Sequence, residues 1–317
     1  MPAVITHDFF AQDAFGAAQA VHAMPTRDER DAFLLGSQGP DPLFYLPPVA
    51  AMRDFQQLAT TLHHETPSAH LVELRRAADG LPEDQRPVGY AYLAGYACHW
   101  LLDSMVHPFV YFWERGLCQA GVEGLDLSDH ASVHFEVECD LDEMVLYTKR
   151  RTTIKTYRPY RETLRIKDRA LETLGLLYLD SFVGPLCDYE PSMREIFPLA
   201  VRMYRLTLYA LWSPTGVKRE VVSALETRFH MQARYPYTRA LSNRVREEET
   251  SDFDNREHRP WRNPFTGQME TRSFWDLYND ALDKVSDTVA AVLADDFDEE
   301  KARALTGGRN FSGEVVE

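Results

Sequence analysis

The chain has 317 residues, enough for a sizeable core in one large domain or two small ones, and its 44% apolar content with only 16 Gly and 18 Pro excludes a collagen-like or disordered chain. A net charge of −15 repels phosphate backbones, which disfavours nonspecific binding to long nucleic acid, and attracts divalent cations. The four cysteines, Cys98, Cys118, Cys139 and Cys187, form no CxxC pair, which argues against a thiolate zinc site and suits a reducing compartment.

In chain order, residues 7–24 carry Phe9, Phe10, Ala14, Ala17, Ala18 and Val21 at helical spacing. The opening MPAVITHDFF has neither the basic nor the apolar region of a secretory signal. Pro25 and TRDER read as a break, and FLLGSQGPDPLFYLPP as a loop with little regular structure between Gly36 and Pro48. A helical pattern resumes over 51–79, interrupted near Pro67. Residues 88–106 form an apolar helix that Pro108 is expected to end at about His107. A membrane span needs roughly 18 apolar residues, and this best candidate is broken by His99 and Asp103, so the expectation is a cytoplasmic protein without a transmembrane segment.

Residues 115–129 read as linker, and 130–147, 168–186, 191–213 and 217–232 as helices. Residues 233–271 look irregular and aromatic-rich. An amphipathic helix follows from Ser273, its N-cap, to about residue 295. The predicted class is all-α, a multi-helix bundle forming a single domain over residues 1–295 with an acidic flexible tail at 296–317.

Chemistry concentrates on two helices. His99, Asp103 and His107 are spaced four apart and form one stripe. His134, Glu138 and Asp142 repeat the device, with His130 upstream. A lone His on an apolar face is ordinarily a core or surface residue. Two such stripes within 44 residues point instead to shared cations, as in helical-bundle metal sites. Asp103 lies among Leu101, Leu102 and Met105, and a buried carboxylate without a partner costs several kcal/mol, so it calls for a cation or strong donors. Asp41 between two prolines is a turn residue or a ligand. Among His63, His64 and His70 one is expected to coordinate, and His7 is a further candidate. Donors without thiolate suit zinc, and equally iron or manganese.

MPAVITHDFF, GSQGPDPLFY, LHHETPSAHL, YLAGYACHWLLDSMVHPFVYF and HFEVECDLDEMVL, in this order over about residues 1–147, resemble the bacterial zinc-dependent phospholipase C family. That family is distantly related to the trinuclear-zinc phospholipases C and single-strand nucleases. WRNPFTGQMETRSFWDLYNDAL is similar, more weakly, to its C-terminal segment. The resemblance implies an all-α fold around two or three zinc ions. Asp41, His63, His99 and Asp103 would hold one, His107, His134 and Glu138 a second, and Asp103 with His7 a third. Asp142 would stand behind the ligands.

The expected activity is metal-assisted hydrolysis of a phosphodiester in a phospholipid or another small phosphorylated molecule, with Asp41 either a ligand or the base that orients water. Iron-dependent oxidation and a purely structural metal staple are the alternatives. The run FVYFW at 109–113 reads as core, with a substrate-pocket role as the minor alternative. The stretch 149–169, nine of whose 21 residues are Lys or Arg, is a solvated face or an anion-binding patch.

Overall fold

The computed structural model describes residues 3–65, 67–121, 125–184, 191–229 and 241–316. Among these, thirteen α-helices carry the fold, and the sheet content is a two-residue pairing of β1 (Trp261–Arg262) with β2 (Met269–Glu270). The helices are α1 (Val4–Val21), α2 (Arg27–Gly36), α3 (Arg53–His64), α4 (Pro67–Gly80), α5 (Arg86–Gln119), α6 (His130–Arg150), α7 (Pro159–Glu162), α8 (Asp168–Tyr178), α9 (Ile196–Leu211), α10 (Val217–Phe229), α11 (Phe274–Asp283), α12 (Val285–Val292) and α13 (Glu299–Thr306). No described helix is long and apolar enough to cross a membrane.

The 34-residue α5 is the axis of the bundle, and α1, α2, α4, α6, α8, α11 and α12 all pack on it. Its apolar character follows from that position: Tyr92, Leu93, Tyr96 and Ala97 are fully buried. Pro108 does not end the helix as the sequence suggests; α5 runs on to Gln119. An internal proline costs about 3 kcal/mol in isolation. Here burial on both sides of it, at Val106, Phe109 and Val110, keeps the axis continuous. Gly313 from the C-terminal segment (φ 78°) sits against the proline ring and the Ser104 carbonyl, where a Cβ would lie 2.6 Å from both.

TRDER is also not a break. Thr26 caps α2 by accepting from the Glu29 backbone N–H at 3.2 Å and donating to its carboxylate at 2.6 Å, which is the T-x-x-E helix-start signature. The GPDPLFY segment after α2, expected to be irregular, contains a 3₁₀ turn at Asp41–Tyr45. The amphipathic stretch after Ser273 divides at Lys284 into α11 and α12, and Ser273 caps its start as expected, in a capping box with Asp276.

The expected flexible tail is ordered structure. Asp298 caps α13, which packs on α4, and Asn310, Phe311 and Ser312 are buried. The main apolar cluster accordingly includes residues from Val4 to Phe311. Phe311 has no helical periodicity to announce it. It is held by partners remote in sequence: its N–H donates to the His63 carbonyl at 3.3 Å, and Trp100 Nε1 donates to the neighbouring Arg309 carbonyl at 2.9 Å.

Candidate metal centre

Four elements converge on the middle of α5: the first turns of α1, the loop after α2, the end of α3 and the middle of α6. His7 comes from α1, Asp41 from the 3₁₀ turn, His63 from α3, His99, Asp103 and His107 from α5, and His134 and Glu138 from α6. Three groups of ligand atoms result, each within 4.8 Å: His7–His99–Asp103, Asp41–His63–His99 and His107–His134–Glu138. All eight sequence-predicted ligands fall in these groups. His99 is shared by the first two. Asp103 groups with His7 and His99 and not with Asp41 and His63. Of the histidines at 63, 64 and 70, His63 is the one brought in; His64 is exposed and His70 stands edge-on to Phe182.

Local chemistry explains the convergence. Gly39 adopts φ 51°, and a Cβ there would lie 2.1 Å from the His99 ring, so only glycine lets the loop pass over that imidazole. Its carbonyl accepts from the Tyr92 hydroxyl at 3.1 Å. Asp142 accepts from the Ile5 and Thr6 backbone N–H groups at 3.1 and 2.7 Å, an anion at the N-terminus of α1 that fixes the turn carrying His7. Burial pushes the Asp142 carboxyl up to about 7.

Four of the five histidines are oriented alike, while His7 turns its Nδ1 to that of His99 at 3.2 Å. His63, His99 and His107 direct Nδ1 at the carbonyls of Ala59 (2.7 Å), Ser37 (3.0 Å) and Phe311 (2.7 Å). His134 directs Nδ1 at the Glu114 carboxylate at 2.8 Å. Carbonyls and carboxylates only accept, so each Nδ1 carries a proton and Nε2 is left for the centre. Those Nε2 atoms face carboxylates: His63 to Asp41 at 3.0 Å, His99 to Asp103 at 3.3 Å, His107 and His134 to Glu138 at 3.2 and 3.4 Å. His7 Nε2 lies 3.1 Å from the other oxygen of Asp103.

A bare imidazole nitrogen facing a carboxylate needs a cation or a second proton between them. For His99 burial disfavours the second proton, lowering its pKa to about 3. Its Nε2 is buried without a hydrogen-bond partner, between Asp41 at 3.9 Å and Asp103 at 3.3 Å. That orphaned nitrogen fits a bound cation. Burial alone would raise Asp103, yet His107, His99 and His7 hold it well below the usual carboxylate range. Burial would lower His107, but Asp103 and Glu138 raise it to about 9, and Glu138 and Glu114 raise His134 in the same way. The cysteines play no part: Cys98 is buried in the core with its thiol pushed up to about 12, and Cys187 lies outside the described residues.

Glu114 escapes sequence reasoning because Pro108 places the expected end of α5 before it. It lies seven residues beyond His107, two turns along the same stripe, and is buried. Extending the stripe through Pro108 would find it. The carboxylate fixes His134 and raises its basicity, so Glu114→Gln should weaken metal affinity at the Glu138 group about tenfold. Competition with a chromophoric chelator measures this, and equal affinity in the variant would remove Glu114 from the site.

FVYFW divides between core and site. Phe109 and Phe112 pack on Trp261, while Tyr111 stands 4.9 Å from the His134 ring with Phe265 beyond it. A cavity of about 20 Å³ between His7, Asp103, His107 and Glu138 is large enough for an ion or a water.

No protein-family model, curated protein or solved structure matches this chain. The fold and the clustered donors stand on their own geometry.

Proposed function

We propose that the protein is a metal-dependent phosphodiester hydrolase of the zinc-dependent phospholipase C type, acting on a phospholipid or another small phosphorylated molecule. The observation that carries this reading is the buried His99 Nε2, without a hydrogen-bond partner between two carboxylates, within three adjoining donor groups. Adjoining sites suit two or three ions better than one. His99, with one free nitrogen, would serve one ion, either beside Asp41 and His63 or beside His7 and Asp103, and His107, His134 and Glu138 would hold another. Bound ions would supply a water of lowered pKa and neutralise charge on the phosphoryl oxygens. The residues themselves hold position. Backbone carbonyls fix three imidazoles, and Glu114 fixes the fourth. Asp41, its Oδ1 directed at His63, stands as ligand or as the base that orients water.

Protein purified without added metal should carry zinc by elemental analysis, be colourless, and hydrolyse bis(4-nitrophenyl) phosphate or phosphatidylcholine in a chelator-sensitive manner. Abundant iron with a visible absorption band would transfer the site to oxidative chemistry. One observation favours a structural staple instead: the roughly 20 Å³ cavity among the donors admits no phosphodiester without movement of its walls. Full zinc occupancy with no hydrolysis of either substrate would establish that reading.

Metal uptake should also release protons. In the metal-free protein His107 keeps its second proton up to about pH 9, and His134 is raised likewise. A cation must displace these protons, so affinity rises with pH through the neutral range toward 9 and is lost in acid. Calorimetric titration with zinc at pH 7, in buffers of different ionisation enthalpy, should show roughly one to two protons released per chain. No release would exclude these imidazoles as ligands.

A further inference from the structure

The nine basic residues of 149–169 do not form one cationic face. Lys149 pairs with Asp13, Arg151 with Glu249, Lys167 with Asp28 and Arg169 with Asp84. Lys155 lies 3.9 Å from Glu247, and Arg158 and Arg161 lie against the rings of Trp212 and Tyr160. Arg150 and Arg165, like Arg158 and Arg161, have no carboxylate at ion-pair distance among the described residues, but these two line cavities, and both act electrostatically on the buried Asp8.

Two cavities share Arg165 as a wall. One, about 540 Å³ between α1 and α2, is lined by Phe15, Arg27, Arg30 and Asp31 among others. The other, about 370 Å³, is lined by Gln12, Arg150, Tyr157 and Glu162 among others. None of the eight candidate metal ligands lines either cavity. Four arginines thus face two carboxylates in a chain of net charge −15, and one of those carboxylates, Asp31, is answered by Arg27 at 3.4 Å.

Two of these guanidinium groups rest on neighbouring side chains. Arg150 donates to Gln12 at 2.8 Å and lies over Phe9 at 5.5 Å, and Arg30 lies over Phe15 at 5.1 Å. Arg205 of α9 donates to the carbonyls on both sides of Arg165, those of Leu164 at 3.0 Å and Ile166 at 3.4 Å. Leu164 is held at φ 52°, a left-handed conformation that residues with a Cβ rarely adopt. The backbone on each side of Arg165 is thereby held, and its exposed side chain forms part of the wall of both cavities. The Tyr157 hydroxyl in the smaller cavity's wall is buried and has no hydrogen-bond partner.

We infer that this double cleft binds a phosphorylated small molecule, with Arg150, Arg165 and Tyr157 receiving the phosphoryl group and the Phe15 side receiving the less polar remainder. Planar guanidinium groups without a carboxylate at ion-pair distance match phosphate oxygens by paired N–H donors, and a phenol adds a third donor. The larger cavity exceeds what a bare phosphate fills.

The test is calorimetric titration of the zinc-loaded full chain with inorganic phosphate, comparing the native protein with Arg165→Gln, Arg150→Gln and, as a control from the same basic stretch outside the cleft, Lys155→Gln. Arg165→Gln should weaken one binding event about tenfold or more, Arg150→Gln should weaken the same event, and Lys155→Gln should leave it intact. Elemental analysis should find the same zinc content throughout, which keeps this result separate from any failure of the metal centre. Equal isotherms for the native protein and Arg165→Gln overturn the assignment, as does an equal loss in Lys155→Gln. A parallel arm measures sedimentation with phosphatidylcholine vesicles containing phosphatidate. Vesicle binding lost together with phosphate binding assigns the phosphoryl group to a lipid; vesicle binding absent or unchanged, with phosphate binding lost, assigns it to a soluble molecule.

Discussion

Asparagine in place of Asp103 should cost about one metal ion or more per chain and lower the melting temperature of the metal-loaded protein. The carboxylate meets three imidazoles: one oxygen faces His7 at 3.1 Å, and the other faces His99 at 3.3 Å and His107 at 3.7 Å. An amide presents one acceptor and one donor where the centre needs two acceptors. Its N–H₂ would confront a nitrogen or the ion itself, and the buried histidines would lose the negative charge they surround. A hundredfold weaker site loses about 2.7 kcal/mol of metal-linked stability. A second readout does not depend on metal. Asp103 is the first of the charges that raise His107 to about 9, so in metal-free Asp103→Asn the His107 imidazole should titrate at lower pH by NMR. Full metal content together with an unmoved His107 titration would remove Asp103 from the centre.

The legible part of this site is the part that is periodic. His99, Asp103 and His107, and His134 with Glu138, announce themselves because a helix repeats its face every four residues, and α5 and α6 place those faces together. His7, Asp41 and His63 come from different elements with no common period; residue type makes them candidates among others, and the resemblance of ordered motifs selects them. The errors have local causes. Pro108 carries a real penalty that burial of α5 overrides, and accepting the penalty as decisive hides Glu114. Gly36 and two prolines draw attention to a loop and away from the Thr26–Glu29 helix start before it. The charged DDFDEEK around the start of α13 reads as solvated, and over Asp298–Lys301 it is exposed. Ala302, Thr306 and Phe311 further along are buried, and no charge pattern marks that change.

Deleting residues 309–317, a change that the sequence alone would judge harmless, should disable the centre. Phe311 ties together three of its histidines. Its carbonyl accepts from His107 Nδ1 at 2.7 Å, its ring lies 5.1 Å from His63 and 5.3 Å from His99, and its N–H reaches the His63 carbonyl. Asn310 meanwhile donates to the His64 carbonyl at 3.2 Å. The two contributions separate by variant. Phe311→Ala keeps the backbone carbonyl and removes a fully buried ring, at a cost of about 3–5 kcal/mol, so it should melt earlier while still binding metal once folded. The deletion removes the carbonyl too. His107 then loses the acceptor that fixes its Nδ1 proton and directs Nε2 to Glu138, and metal affinity should fall about 10–100-fold in addition to the lost stability. Thermal melting and zinc competition on the two variants distinguish packing from orientation. A deletion variant that melts and binds zinc like the full chain would mean that the C-terminal segment merely rests on a centre organised by α3, α5 and α6 alone.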